Sequence, residues 1–156
     1  MKLNEDFEDL LDALEATGVR FLVVGAHALA AHGVPRATSD IDILVQAESA
    51  NARRVYEALV LFGAPVEQHR ITARHFETEG DVYQMGLPPR RVDLLTRIDG
   101  VSFEEAWNGR EEVLYEGRRL AVLGLHEFIA NKRAAGRLKD LADLEMLRAA
   151  GVNVDG

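Results

Sequence analysis

The chain has 156 residues, of which 47% are hydrophobic and 28% charged, with a formal net charge of −8 and no cysteine. A chain of this length and composition suits one globular domain that buries roughly two-thirds of its unfolded surface. Disulfides and thiolate metal sites are excluded, and the acidic excess argues against a broad nucleic-acid-binding surface, because phosphate affinity is built from Lys and Arg.

The opening, Met1-Lys2-Leu3-Asn4-Glu5-Asp6, is acidic where a signal peptide would be basic, and no apolar run approaches membrane-spanning length. A cytoplasmic protein with no membrane association is expected. Leu3, Phe7, Leu10, Leu11 and Leu14 recur at helical spacing, which predicts an amphipathic helix from Leu3 to Thr17 ended by Gly18. A short buried strand follows from Arg20 to Val24, then a short helix from Ala26 to His32 closed by Gly33. Pro35 to Ser39 reads as a loop into a strand from Asp40 to Val45. Ser49 is placed to cap a helix to Phe62, ended by Gly63 and Pro65.

From Thr72 to Leu87 the alternation of Arg74 to Thr78 and of Val82 to Met85 predicts a hairpin around Glu79-Gly80-Asp81, with Pro88-Pro89 breaking the chain before a strand from Arg90 to Leu95. Ser102 and Glu105 form a capping box for a short helix to Trp107. Glu116-Gly117 joins two short strands, Glu112 to Tyr115 and Arg118 to Val122, and Gly136 divides two helices, Leu125 to Ala135 and Leu138 to Ala149. Mixed strands and helices with sharp turns indicate an α/β (α+β) domain with a mixed sheet. The expected division is a core over about 18–122 and C-terminal helices over about 125–149 of a single domain spanning 1–156.

The chemistry concentrates at Asp40-Ile41-Asp42. On a strand, residues two apart share a face, so Asp40 and Asp42 stand together while Ile41 and Ile43 enter the core. Like charges held side by side repel, and burial without a cation costs several kcal/mol or more, roughly. A hard divalent ion such as Mg²⁺ suits such a pair. Asp93, opposite in facing to Val92 and Leu94, would join them if its strand lies beside the first. Three carboxylates around metal can hold a triphosphate and activate a hydroxyl. Exposed carboxylates at a strand start are the plainer reading of Asp40 and Asp42, and a structural partner for Arg90 or Arg91 that of Asp93.

The segment Phe21-Leu22-Val23-Val24-Gly25-Ala26-His27-Ala28-Leu29-Ala30-Ala31-His32-Gly33, continued by Arg36-Ala37-Thr38-Ser39-Asp40-Ile41-Asp42-Ile43-Leu44-Val45, resembles the opening of the nucleotidyltransferase superfamily typified by DNA polymerase beta. It is most similar to the small bacterial branch of minimal nucleotidyltransferases and abortive-infection nucleotidyltransferase toxins. The motif is an apolar strand, Gly followed by Gly or Ser, a short helix, Asp-x-Asp, and a later Asp. Gly25, Asp40, Asp42 and Asp93 match; Ala26 departs from it by lacking a hydroxyl and restricting the backbone.

The resemblance implies a nucleotidyltransferase-like mixed sheet flanked by helices, with the Gly25 turn facing the carboxylates. It also implies an enzyme that uses Mg²⁺, or Mn²⁺, to transfer a nucleoside monophosphate from a nucleoside triphosphate to a hydroxyl of RNA, a protein or a small molecule. Asp40, Asp42 and Asp93 would be the catalytic and metal-binding residues. The Gly25-Ala26 turn would present its amides to phosphate. Thr38 and Ser39, just before Asp40, are placed by position to contact phosphate through hydroxyl or amide, or simply to end the loop.

Lys132-Arg133-Ala134-Ala135-Gly136-Arg137-Leu138-Lys139-Asp140 resembles a C-terminal motif of the same branch, by which Lys132 would contact the nucleotide, with Arg137 and Lys139 as secondary candidates. Complementarity to the helix dipoles alone would also place these bases and Asp140 where they are. The resemblance further implies a toxin with an antitoxin partner. Two other readings stand beside it: a catalytically degenerate module that binds nucleotide or protein, and an acidic antitoxin-like partner with no nucleotide site.

Fifteen of the eighteen basic residues are Arg, in pairs such as Arg53-Arg54, Arg90-Arg91 and Arg118-Arg119. These read as solvated surface or as local phosphate grips. The five histidines form no metal set: His27 and His32 face different sides of a short helix, and His126-Glu127 lacks a second His. His27, beside the Gly25 turn, is placed to hydrogen-bond there. Trp107 and the tyrosines offer no stacking platform for single strands.

Overall fold

The computed structural model describes residues 3–155, so Met1, Lys2 and Gly156 of the expected domain lie outside the described residues. Helix α1 (Glu5–Ala16) starts because the Asn4 side chain accepts a hydrogen bond from the Phe7 amide at 3.0 Å, and it buries Phe7, Leu10, Leu11 and Leu14. Each such burial contributes about 1.5–3 kcal/mol. Strand β1 (Phe21–Val24) is buried along its whole length, as befits a central strand, and leads directly into α2 (Gly25–Ala31). Strand β2 (Asp40–Val45) buries Ile41, Ile43 and Val45 on one face, as its alternation required.

Helix α3 (Ser49–Phe62) is capped by Glu48 rather than Ser49, because Glu48 holds the extended conformation and Ser49 is already helical. The Glu48 carboxylate accepts from the amides of Ala50 and Asn51 at 2.9 and 3.0 Å, where the helix dipole favours negative charge. Asn51, fully buried, accepts from the Arg20 amide at 2.8 Å and donates to the carbonyls of Arg20 and Gln46 at 3.2 and 2.9 Å. It ties the start of β1 to the end of β2.

The hairpin expected between Arg74–Thr78 and Val82–Met85 does not form. Thr72 opens a 3₁₀ turn (Ala73–Phe76) through a reciprocal capping arrangement with His75, and Phe76, the sole large apolar side chain of the segment, enters the core. Strand β3 (Val82–Met85) pairs instead antiparallel with β4 (Arg91–Leu95), Met85 opposite Val92. Gly86, at φ +76°, starts the connection.

Ser102 and Glu105 cap α4 (Phe103–Asn108) as expected. Strands β5 (Glu111–Tyr115) and β6 (Arg118–Val122) form a hairpin whose two turn residues, Glu116 and Gly117, both have positive φ. Helices α5 (Leu125–Ala135) and α6 (Leu138–Ala149) are separated by Gly136 at φ +62°.

The six strands make one mixed sheet in the order β3-β4-β2-β1-β6-β5. Strand β2 runs antiparallel to β1 and parallel to β4, and β1 runs parallel to β6. A mixed sheet flanked by helices, with a helical tail, is the architecture expected from the sequence. Among the described residues no helix is long and apolar enough to cross a membrane.

Candidate functional site

The site forms where β1 ends and β2 and β4 begin. Gly25 turns the chain from β1 into α2 at φ +67°, and a Cβ built on it would lie 2.3 Å from Oδ2 of Asp42. Both the backbone angle and the close approach therefore require glycine. The Val24 side chain provides no cap, so the first amides of α2 have no side-chain acceptor there. Ala26 is buried beside this turn.

The parallel register of β2 and β4 sets Asp42 opposite Asp93 and Asp40 opposite Arg91. Asp40, Asp42 and Asp93 consequently share one face, and each offers a carboxylate oxygen within 4.8 Å of the others. Among the described residues they are the one group of acidic or histidine side chains able to hold a metal ion together.

The three titrate differently. Burial, reinforced by the charges of Asp40 and Asp93 and opposed by Lys132, pushes Asp42 up to about 7. Burial raises Asp93 as well, with Arg91 working against it. Burial also acts on Asp40, but hydrogen bonds from Thr38 and Arg91 outweigh it and hold this carboxyl below its ordinary value. Thr38 Oγ1 donates to Asp40 Oδ1 at 2.8 Å, and Arg91 Nη2 to Asp40 Oδ2 at 2.7 Å. Arg91 Nε lies 3.4 Å from Asp93 Oδ1. Arg91 is thus a structural partner of Asp93, while Arg90, just before β4, pairs with Asp6 at 3.0 Å.

A cleft of about 540 Å³ opens against these carboxylates. Gly25, Ala26, Thr38, Ser39, Asp40, Asp42, Lys132, Arg137 and Lys139 line it, so every candidate from the sequence except Asp93 contributes to its wall. Asp93 lies beneath, in the carboxylate group. Arg36 and Arg91 also line it, and neither was assigned to it by sequence reasoning. A strand-parity argument could have found Arg91, which precedes Asp93 by two residues on the same face. No local pattern marks Arg36.

The helical tail supplies most of the positive wall. Lys132 is buried, with Nζ 3.1 Å from both Asp140 and Asp143. Arg137 Nε donates to Asp140 at 2.7 Å, and the Arg137 amide to the same carboxylate at 3.2 Å. Despite its burial, Asp140 is held down to about 2 by these hydrogen bonds and by the Lys132 charge.

His27 does not face the turn. Its ring is buried against Phe7, with Nδ1 3.1 Å from the Tyr115 hydroxyl, and burial lowers it to about 4, so it is neutral at ordinary pH. His32 Nε2 donates to the Leu123 carbonyl at 2.7 Å, which leaves Nδ1 facing Glu111 at 3.1 Å.

Three carboxylates beside a cation-lined cleft and an uncapped helix start can hold a hard divalent ion together with a phosphate-bearing ligand. The fold matches a solved structure from Thermotoga maritima described as a "putative nucleotidyltransferase", at 21% identity and a TM-score of 0.54, over 91% of this chain and 88% of that one. This likeness is one of fold, and the architecture is nucleotidyltransferase-like. No family model and no curated protein matches the chain.

Proposed function

We propose that the protein is a divalent-metal-dependent nucleotidyltransferase that moves a nucleoside monophosphate from a nucleoside triphosphate to a hydroxyl acceptor. The observation that carries this reading is the convergence of Asp40, Asp42 and Asp93 on one face of the sheet, next to the Gly25 turn and a cleft rich in Arg and Lys. The nucleotidyltransferase-like fold agrees with it. The donor set fits a hard cation: all ligands are carboxylate oxygens, and their crowding raises Asp42, which a bound divalent charge would relieve.

Asp40, Asp42 and Asp93 would hold Mg²⁺, or Mn²⁺, which when bound supplies Lewis-acid polarisation of phosphoryl oxygens. The amides of Gly25 and Ala26, with Thr38 and Ser39, would receive phosphate oxygens, and Lys132, Arg137 and Lys139 would offset the negative charge of the triphosphate and of the departing pyrophosphate. The acceptor oxygen forms a bond to the α-phosphorus as the bond to pyrophosphate breaks. Asp93 would take the hydroxyl proton, directly or through water.

The described elements share one core cluster, and we read the chain as one catalytic domain. A cytoplasmic toxin with an antitoxin partner is the biological setting that the sequence resemblance favours. A second reading, a nucleotide- or protein-binding module without catalysis, is favoured by Ala26 at the phosphate turn and by the pairing of Arg91 with Asp40 and Asp93.

The test is thermal unfolding with ATP, GTP, CTP and UTP, with and without Mg²⁺, followed by incorporation of labelled nucleotide into RNA or protein. Ligand at a hundred times its dissociation constant stabilises the fold by about 2.7 kcal/mol. A metal-dependent shift and labelling, both lost in the Asp40→Ala, Asp42→Ala double variant, are expected. Nucleotide binding without any label would favour the binding module, and the absence of both would end the nucleotide assignment.

A further inference from the structure

The cations of the cleft are long side chains from three separate parts of the chain, and ordering such side chains on binding has an entropic cost. The structure meets that cost in advance through two buried carboxylates one helical turn apart on α6, Asp140 and Asp143, which are 0% and 2% exposed. Asp143 reaches two elements at once. Its Oδ1 lies 2.7 Å from Arg36 Nε, its Oδ2 accepts from Arg36 Nη2 at 3.3 Å, and the same Oδ2 is 3.1 Å from Lys132 Nζ. Arg36 belongs to the loop before β2, 107 positions away in the chain, and lines the same cleft as Thr38, Ser39 and Lys132.

Building on the nucleotidyltransferase reading, we infer that Asp143 is a positioning residue: it locks Arg36 of the 33–39 loop and Lys132 of α5 into one preassembled anion-binding wall, with Arg36 as a direct contact for the phosphates of the nucleoside triphosphate. Asp143 takes the Nε edge and one hydrogen of Nη2, and Nη1 donates to the Ala37 carbonyl at 3.4 Å, so the guanidinium is held beside the cleft with its remaining Nη hydrogens available to a phosphate at little further ordering. Asp143 lines neither the cleft nor the Asp40, Asp42 and Asp93 group, so it acts through its two cations and not on substrate or metal.

The experiment uses the full chain and two separate titrations by calorimetry: Mn²⁺ alone, and each of ATP, GTP, CTP and UTP with Mg²⁺. Asp143→Asn, close in shape but without the charge, is expected to weaken binding of the preferred nucleotide about tenfold while Mn²⁺ affinity stays within about twofold of the parent. Arg36→Gln is expected to weaken nucleotide binding by a similar factor, and adding Asp143→Asn to it to weaken binding by clearly less than a further tenfold, because the two act as a unit. A folded Asp143→Asn variant with the parent's nucleotide affinity, or losses that multiply fully in the double variant, would overturn the inference. Should Asp143→Asn not fold, Arg36→Lys decides, since the loop side chain keeps its charge but loses its fork: a several-fold weaker nucleotide supports the inference and unchanged affinity overturns it. A parent that binds none of the four nucleotides overturns the nucleotidyltransferase reading itself, a result distinct from every outcome among the variants.

Discussion

Two aspartates near the same cleft, Asp42 and Asp140, titrate in opposite directions. Asp42, at the sheet, is raised to about 7, whereas Asp140, on α6, is lowered to about 2, although burial pushes both upward. The difference lies in their neighbours. Asp140 has Lys132 and Arg137 within hydrogen-bonding distance, so its charge is satisfied within the chain. Asp42 faces two further carboxylates, and the cation nearest that group, Arg91, is spent on Asp40 and Asp93. A buried acid with built-in partners is architecture; a buried acid among other acids points to a charge supplied from outside.

The largest effect that would break this contrast comes from the helical side. Asp140→Leu leaves Lys132 and Arg137 without their shared carboxylate, and loss of one partner of a buried pair costs about 3–5 kcal/mol, to be read by urea unfolding. Asp42→Asn should do the reverse, raising the stability of the metal-free protein at pH 8 while abolishing divalent-ion binding. A destabilised Asp42→Asn protein would show that Asp42 is partnered after all.

Next in size is Gly25→Ala. The positive φ and the collision with the Asp42 carboxylate together should cost about 1–3 kcal/mol, seen as a lower Tm, and should weaken Mn²⁺ binding by displacing that carboxylate.

The pH dependence sharpens the contrast. Asp42 has its folded pKa raised from 3.8 to about 7, so between these values the folded state keeps a proton that the unfolded state has released, and its contribution to stability declines as pH rises. Asp140 is lowered, so its contribution is full above its ordinary 3.8 and is lost as pH falls towards about 2. In EDTA, the parent should therefore lose stability between pH 5 and pH 8 relative to Asp42→Asn, and stabilisation by Mg²⁺ should be greater at pH 8 than at pH 6 because the ion displaces a proton. Parallel pH curves for parent and variant would remove Asp42 as the source.

The smallest change is expected at Arg90→Gln. Its pair with Asp6 is exposed, so unfolding should shift by about 0–1 kcal/mol, whereas Arg91→Gln should alter Mn²⁺ affinity by freeing Asp40 and Asp93.

Local periodicity made the acidic side legible. The strand parity of Asp40 and Asp42, the opposite facing of Val92 and Asp93, and the glycine of the β1–α2 turn can each be read within its own window of a few residues. The strand elements failed where periodicity was weak: Arg74 to Thr78 alternates, yet Phe76 is its sole large apolar side chain, and a 3₁₀ turn anchored by Phe76 prevailed over a ladder. The cap of α3 shifted to Glu48 because a longer carboxylate reaches two amides.

The basic side was legible only in part. Lys132 and Arg137 could be named from the tail, but Arg36 joins them through Asp143, and a contact spanning 107 positions leaves no trace in local spacing. The parallel pairing of β2 with β4 was likewise conditional until the sheet order placed them side by side.

Asn51 sits at the far end of β1 and β2 from the carboxylates, yet it governs them. With one side chain it holds the Arg20 amide and the carbonyls of Arg20 and Gln46, pinning where β1 begins against where β2 finishes. A strand that slipped by one position would turn Asp40 and Asp42 to the core and Ile41 and Ile43 to the cleft. The buried amide thereby acts as a ratchet pawl for the sheet: it favours a single alignment, the one in which Val24 faces Asp42 and Asp40 and Asp42 stay on the side of the cleft.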